Sequence, residues 1–163
     1  LIRYVLETTS TVAEALNVLY KIPVHMAYNV TLADATGTSA TIYLAPGKTA
    51  VEAVLPIASN HQEIIEWPEY ATLTGTIVRK NVLENIHFNA EETEATILQK
   101  FFHPPLFNYN YIKSFGTLYT VIYHTSGRQV KLYLPEKKTV FQNFEQFHEQ
   151  HFRLHLPDAV IPM

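Results

Sequence analysis

The chain contains no cysteine, which removes several kinds of chemistry at once. Within these 163 residues there is no disulfide, no thiolate metal ligand and no thiol nucleophile. Glycine is also scarce, and its five occurrences are scattered at turns instead of being grouped in a phosphate-binding loop. No apolar run approaches the ~18 residues that a membrane span requires, so we expect no membrane partner.

Charged residues are few as well. They make up 17% of the chain, the formal net charge is −3, and no cluster of lysine or arginine alternates with aromatic residues. This composition offers no surface for nucleic acid. Hydrophobic residues make up 47% of the chain, which is typical of a globular protein with a buried core. Because no linker or internal repeat divides the chain, we expect a single domain over 1–163.

The first residues suggest that this domain is part of a longer protein. The chain begins with Leu1 instead of methionine and continues in an apolar run to Leu6, without the features of a signal peptide. We therefore interpret 1–163 as the C-terminal fragment of a longer chain. The first residue of a fragment does not identify its compartment, and we favour the cytoplasm.

Three antiparallel strands are predicted around residues 28–60, and the other elements are arranged around them. The predicted strands cover 24–34, 38–45 and 49–57, where small or polar residues alternate with apolar and β-branched ones. Asp34-Ala-Thr-Gly37 supplies the first turn. Asn60 and His61 follow the third strand, a place where sheet enzymes often present side chains to a site. A turn-forming asparagine without a functional role fits the same pattern.

Helices and a second group of strands complete an α+β fold with antiparallel sheets. The predicted helices cover 11–21, 76–88 and 91–102, and the further strands cover 117–124 and 128–134. Thr11-Val-Ala-Glu14 forms a capping box, and Asn89-Ala-Glu-Glu92 is a second capping signal. Trp67-Pro68 predicts a loop without a regular helix. Phenylalanines recur near helical spacing in 141–152.

Arg79 lies on the predicted helix 76–88, at the edge of an apolar stripe formed by Val78, Val82 and Ile86. An arginine on an inward-leaning face needs a carboxylate or a ligand anion to satisfy its donors. The alternative is a surface arginine whose stem lies along apolar residues.

Among the eight histidines, one cluster has a spacing that suits a metal. His148, His151 and His155 are at i, i+3 and i+7, so a helix would place them on one face beside Glu145. The spacing is not that of the His-Glu-x-x-His zinc motif, and Pro157 follows closely. A solvated C-terminal tail is the alternative, and we assign neither a metal nor a cofactor to the chain.

Five motifs follow one another along the chain. They are Lys21-Ile-Pro23, Asn29-x-Thr31-Leu-x-Asp34-x-x-Gly37, Asn60-His61, Thr76-x-x-Arg79, and Phe102-His-Pro-Pro-Leu106 leading to Phe115-Gly-Thr-Leu-Tyr119. In this order they resemble the C-terminal half of the choloylglycine hydrolase and isopenicillin-N acyltransferase family, which includes penicillin V acylase-like enzymes. The resemblance covers most of the chain up to about residue 135.

The resemblance implies a fold and a chemistry. The family consists of N-terminal-nucleophile hydrolases with a four-layer αββα sandwich, in which an N-terminal cysteine attacks linear amides and its α-amino group is the base. By resemblance, Asn60 lines the oxyanion or substrate site, and Arg79 matches an arginine in the family's Ser-x-x-Arg helix. Asp34 falls in a strand–turn motif, where it implies a structural role. The nucleophile would lie in a missing N-terminal half, so this chain alone would be inactive on amides.

Two functions from different classes follow. The first is the C-terminal portion of a hydrolase or acyltransferase that acts on small-molecule N-acyl amides of the bile-salt, penicillin or N-acyl amino acid type. The second is a catalytically silent, β-rich module that binds a ligand or partner through its aromatic surface. A sandwich without its other half would expose large apolar side chains, so we also expect a homo-oligomer.

Overall fold

The computed structural model describes residues 1–113, 116–134, 138–151, 153 and 156. It divides into two compact units, Leu1–Phe88 and Asn89–Met163, and each contains a small antiparallel sheet. Helices combined with antiparallel strands confirm the predicted α+β class. The single domain over 1–163 stays a prediction.

The first unit, which the structure describes throughout, builds a three-stranded sheet with β2 at its centre. Its elements are α1 (Ile2–Thr8), α2 (Val12–Leu19), β1 (Tyr28–Ala33), β2 (Ser39–Leu44), β3 (Val51–Glu52), α3 (Pro68–Leu73) and α4 (Thr76–Phe88). Val30 of β1 lies opposite Ile42 of β2, and Tyr43 lies opposite Val51 of β3. The strand β3 is shorter than predicted, and Pro56, which lies in the predicted range, has no N–H to donate to a neighbouring strand.

The core of the first unit forms where α2 packs against this sheet. The predicted capping box at the start of α2 is confirmed, since the Thr11 side chain accepts from the Glu14 N–H and the Glu14 carboxylate accepts from the Thr11 N–H. The cap fixes Val12 as the first residue of α2. With this start, Ala15 and Leu19 lie on the helix face that packs against the sheet. Leu19 and Ile42 are both almost fully buried, and they pack in one apolar cluster.

The loop predicted at Trp67-Pro68 is wrong, because α3 begins there. Trp67 is the N-cap, with φ −127° and ψ 83°, and Pro68 is the first helical residue. Proline is well suited to that position, since the first N–H groups of a helix have no intrahelical acceptor. Proline disfavours helical backbone angles in the residue before it, and that residue, Trp67, lies outside the helix.

The second unit contains α5 and a three-stranded sheet with β5 at its centre in the described residues. Its elements are α5 (Glu94–Lys100), a short 3-10 turn (Tyr111–Lys113), β4 (Thr120–His124), β5 (Gln129–Tyr133) and β6 (Thr139–Asn143). The predicted hairpin is confirmed, with Tyr123 opposite Val130. The N-cap of α5 is Thr93, not Asn89: the hydroxyls of Thr93 and Thr96 each accept from the other's N–H, and Asn89 accepts from the Glu91 N–H.

Phe141, the first of the phenylalanines near helical spacing, belongs to β6, a strand that is not among the predicted ones. His148 and His151 lie in a segment without regular structure, so their spacing does not place them on one helical face. Phe115, Phe152, His155 and Pro157 lie outside the described residues. Within the described part of the chain, no three histidine or carboxylate side chains are grouped around a common metal position. No helix in that part is both long and apolar enough to cross a membrane.

Candidate functional site

The structure brings Asn60 and Arg79 into contact, although 19 residues separate them in the chain. Arg79 Nη2 donates to Asn60 Oδ1 over 3.2 Å and to the Thr74 carbonyl over 3.2 Å. A guanidinium has only donors, so the Asn60 atom that faces it is the amide oxygen. The Asn60 Nδ2 group is therefore turned away from Arg79, and it donates no hydrogen bond to any described residue.

Thr76 holds the main chain of Asn60. Its Oγ1 accepts the Asn60 N–H over 2.8 Å, and Thr76 itself is only 1% exposed at the start of α4. Residues three apart on a helix lie on the same face, so the first turn of α4 presents Thr76 and Arg79 together. The Thr76-x-x-Arg79 motif thus positions Asn60 at both its backbone and its side chain.

A cluster of two hydroxyls and an imidazole lies around Thr76. Thr76 Oγ1 donates to Ser59 Oγ over 2.9 Å, and His61 Nδ1 is 3.1 Å from Ser59 Oγ and 3.0 Å from Thr76 Oγ1. Burial is the main cause that lowers the pKa of His61 below its usual value. The positive charges of Lys80 and Arg79 act in the same direction, and the charge of Glu84 opposes them. The imidazole is consequently neutral near pH ~7.

Two amide side chains attach this segment to the sheet. Asn29 of β1 donates from Nδ2 to the Ser59 carbonyl over 2.7 Å and to the His61 carbonyl over 3.0 Å. Gln62 donates from Nε2 to the carbonyls of Tyr28 and Leu44, over 3.2 Å and 3.0 Å. Residues 59–62 are therefore held on both sides of Asn60 by bonds to β1 and β2.

Arg79 has one donor that the described residues do not satisfy. Its Nε is buried and has no hydrogen-bond partner among the described residues. Most buried polar groups in folded proteins are paired with a protein group, a water or an ion, so this donor has room for an additional partner.

One family model matches residues 1–139, and it describes acyl-coenzyme A:6-aminopenicillanic acid acyl-transferase. The chain belongs to this family. The acyl-transferase family lies in the superfamily of N-terminal-nucleophile and choloylglycine hydrolases, which confirms the resemblance carried by the five motifs. No curated protein and no solved structure is detectably similar to the chain.

Membership in the acyl-transferase family indicates acyl transfer or amide cleavage as the type of activity. The match includes the whole of the cluster described above, from Asn29 to Arg79. The motifs singled out Asn60 and Arg79 but assigned no role to Ser59 or Gln62. In the sequence, these two residues are marked only by their position on either side of Asn60-His61. The sequence does not indicate which groups they bond.

Proposed function

We propose that this chain is the C-terminal part of an amide hydrolase or acyltransferase and that Asn60 donates a hydrogen bond to the oxyanion. The observation that carries the proposal is the bond from Arg79 to Asn60 Oδ1. This bond occupies the amide oxygen and leaves the Nδ2 group to donate to a substrate. Acyl transfer passes through a tetrahedral intermediate with a negative oxygen, and fixed N–H donors stabilise that charge. Asn60 is exposed, so its Nδ2 group is accessible to a substrate.

In this proposal the nucleophile comes from residues that precede the chain. The 163 residues contain no cysteine, so the cysteine and its α-amino base belong to an N-terminal half. The complete protein then adopts the four-layer αββα sandwich. The buried Nε of Arg79, unpaired among the described residues, supports this arrangement, because the substrate or the N-terminal half can supply an acceptor for it.

The reaction follows from these roles. The thiolate attacks the carbonyl carbon of an N-acyl amide, a C–S bond forms, and the carbonyl electrons move to the oxygen, which Asn60 stabilises. Collapse of the intermediate breaks the C–N bond, and the amine leaves with the proton held by the α-amino group. The acyl group passes from sulfur to water in hydrolysis or to a second acceptor in transfer.

Self-association belongs to the same proposal. Several large apolar side chains in the first unit are exposed, among them Val54, Ile64 and Leu73. Exposed apolar surface of this kind usually drives association. We expect the protein to form a homo-oligomer, which sedimentation across a range of concentrations would detect; a monomer at all concentrations would contradict this part.

The test uses the full-length protein and a panel of N-acyl amides that includes penicillins, conjugated bile salts and N-acyl amino acids. Asn60→Asp keeps the shape of the side chain and a partner for Arg79, but it has no N–H to donate. We expect turnover to fall by about 10²–10³ while the Michaelis constant changes little. Asn17→Ala, at an exposed position on α2, is the matched control and should leave turnover unchanged.

The thermal midpoint of each variant separates a lost donor from a lost fold. A folded Asn60→Asp protein with near-normal turnover would refute the oxyanion role. A full-length protein that is folded, binds ligands and hydrolyses none of the panel would favour the silent binding module.

A further inference from the structure

We propose that His61 is a positioning residue, whose neutral imidazole accepts at Nδ1 from the Ser59–Thr76 hydroxyl pair and thereby holds Asn60 in place. The inference rests on the proposed function, because Asn60 is the group whose position matters. His61 itself reaches Asn60 only through Thr76, the residue that accepts the Asn60 N–H. The motifs placed His61 next to Asn60 but gave it no role.

The proton count of the cluster supports a neutral imidazole. Thr76 Oγ1 accepts the Asn60 N–H and donates its own hydrogen to Ser59 Oγ. The Ser59 hydrogen then has His61 Nδ1 as its acceptor, 3.1 Å away. With the Ser59–His61 bond assigned in this direction, each donor has one acceptor, and Nδ1 carries no hydrogen.

Protonation of His61 would upset this arrangement. An imidazolium donates at both nitrogens, so Nδ1 would bring a third hydrogen to two hydroxyl oxygens. One hydroxyl hydrogen would then lose its acceptor, in a cluster where Thr76 is buried. A buried donor without an acceptor is costly, so the hydroxyls would reorient and the Asn60 backbone would lose its fixed acceptor.

The charges around His61 favour the neutral form. All three charged groups that act on it belong to α4: Lys80 and Arg79 disfavour a further positive charge, and Glu84 favours it. Burial adds to the effect of the two cations, so the pKa of His61 lies below the usual value. Nδ1 therefore accepts hydrogen bonds at neutral pH and becomes a donor only in acid, while Nε2 carries the hydrogen of the neutral ring.

The test compares two substitutions in the full-length protein. His61→Asn places an amide oxygen near the position of Nδ1 and does not titrate, whereas His61→Leu has no acceptor. We expect His61→Leu to lower kcat by roughly 10- to 100-fold with KM nearly unchanged, because a small displacement of a catalytic donor is costly. His61→Asn should keep most of the turnover.

The pH profile supplies a readout that a merely structural role would not move. Protonation of the α-amino base lowers kcat in acid in every variant, and in the wild type protonation of His61 should add a second acid limb, below the ordinary imidazole value of ~6.5. That acid limb should be absent or shifted in His61→Asn. Amide hydrogen exchange at Asn60, which needs no substrate, should be faster in His61→Leu than in the wild type.

Asn60→Asp, measured in parallel, separates the two proposals. An inactive Asn60→Asp protein beside a fully active, folded His61→Leu protein would overturn the role of His61 and leave the oxyanion proposal standing. Equal losses in His61→Asn and His61→Leu, with an unchanged pH profile, would overturn it as well. If His61→Leu does not fold, the acid limb of His61→Asn decides.

Discussion

The carboxylate of Asp34 accepts a hydrogen bond from the backbone N–H of Val12, which lies 22 residues earlier in the chain, over 3.0 Å. Asp34 is in the turn between β1 and β2, and its other oxygen accepts from the N–H groups of Thr36 and Thr38, over 2.9 Å and 3.3 Å. Val12 is the first residue of α2, where the helix itself offers no acceptor. One carboxylate thus joins the hairpin turn to the start of the helix, which is the structural role that the motif implied.

Asp34→Ala should lower the thermal midpoint, because it removes acceptors from the turn and from α2 together. Asp34→Asn should lower it less, since one amide oxygen remains. Glu63→Gln, at an exposed loop position, is the control and should leave the midpoint unchanged. Equal midpoints for Asp34→Ala and the wild type would show that the bond to Val12 is dispensable.

The contribution of Asp34 should depend on pH. The hydrogen bond from the Thr36 hydroxyl, followed by that from the Val12 N–H, lowers the pKa of Asp34. A carboxyl whose folded pKa is depressed stabilises the protein above its unfolded value of ~3.9, and this stability is lost as the pH falls through the folded pKa. The midpoint difference between the wild type and Asp34→Asn should therefore shrink between neutral pH and acid. A constant difference would contradict this linkage.

Arg79→Lys should reduce turnover although it keeps the positive charge. One guanidinium nitrogen, Nη2, donates to both Asn60 Oδ1 and the Thr74 carbonyl, and the shorter lysine side chain does not place its ammonium at that position. Charge-assisted hydrogen bonds are worth about 1.5–3 kcal/mol, so we expect kcat to fall roughly 10- to 100-fold. Arg3→Lys on α1, at a side chain exposed to solvent, is the matched control. Full turnover in Arg79→Lys would mean that the Asn60 amide is oriented by something else.

Thr76→Val should destabilise the first unit more than Thr76→Ser. Valine has nearly the shape of threonine but leaves the Asn60 N–H without its acceptor, at a cost of about 1–3 kcal/mol. Serine keeps the hydroxyl and loses one methyl group. Urea unfolding curves of the two variants would measure the difference. Equal curves would show that water replaces the Thr76 hydroxyl without loss.

Leu19→Ala should be among the most destabilising single substitutions in the first unit. Leu19 is 1% exposed and packs in the apolar cluster with Ile42, so truncation leaves a cavity that costs about 2–5 kcal/mol. Leu6→Ala, at a residue that is 75% exposed on α1, should change stability by less than about 0.5 kcal/mol. Similar losses for both variants would contradict the assignment of the core.

Local patterns predicted the elements that depend on local contacts. The alternation in β1 and β2, the hairpin between β4 and β5, and the capping box of α2 each involve residues that are close in the chain. The differences arise where one residue type has two structural uses. Pro68 predicts a loop but begins α3, and the strand β6 around Phe141 is not among the predicted strands.

By itself, the sequence indicated the α+β class, contained the family motifs and singled out Asn60 and Arg79 as candidate site residues. Only the tertiary structure decided what these residues do to each other. The residues that orient Asn60 by hydrogen bonds are distant from it in the chain: Thr76 follows it by 16 residues and Arg79 by 19. No periodicity or propensity carries information over such a separation, because these contacts exist only once α4 and the segment after β3 have folded next to each other.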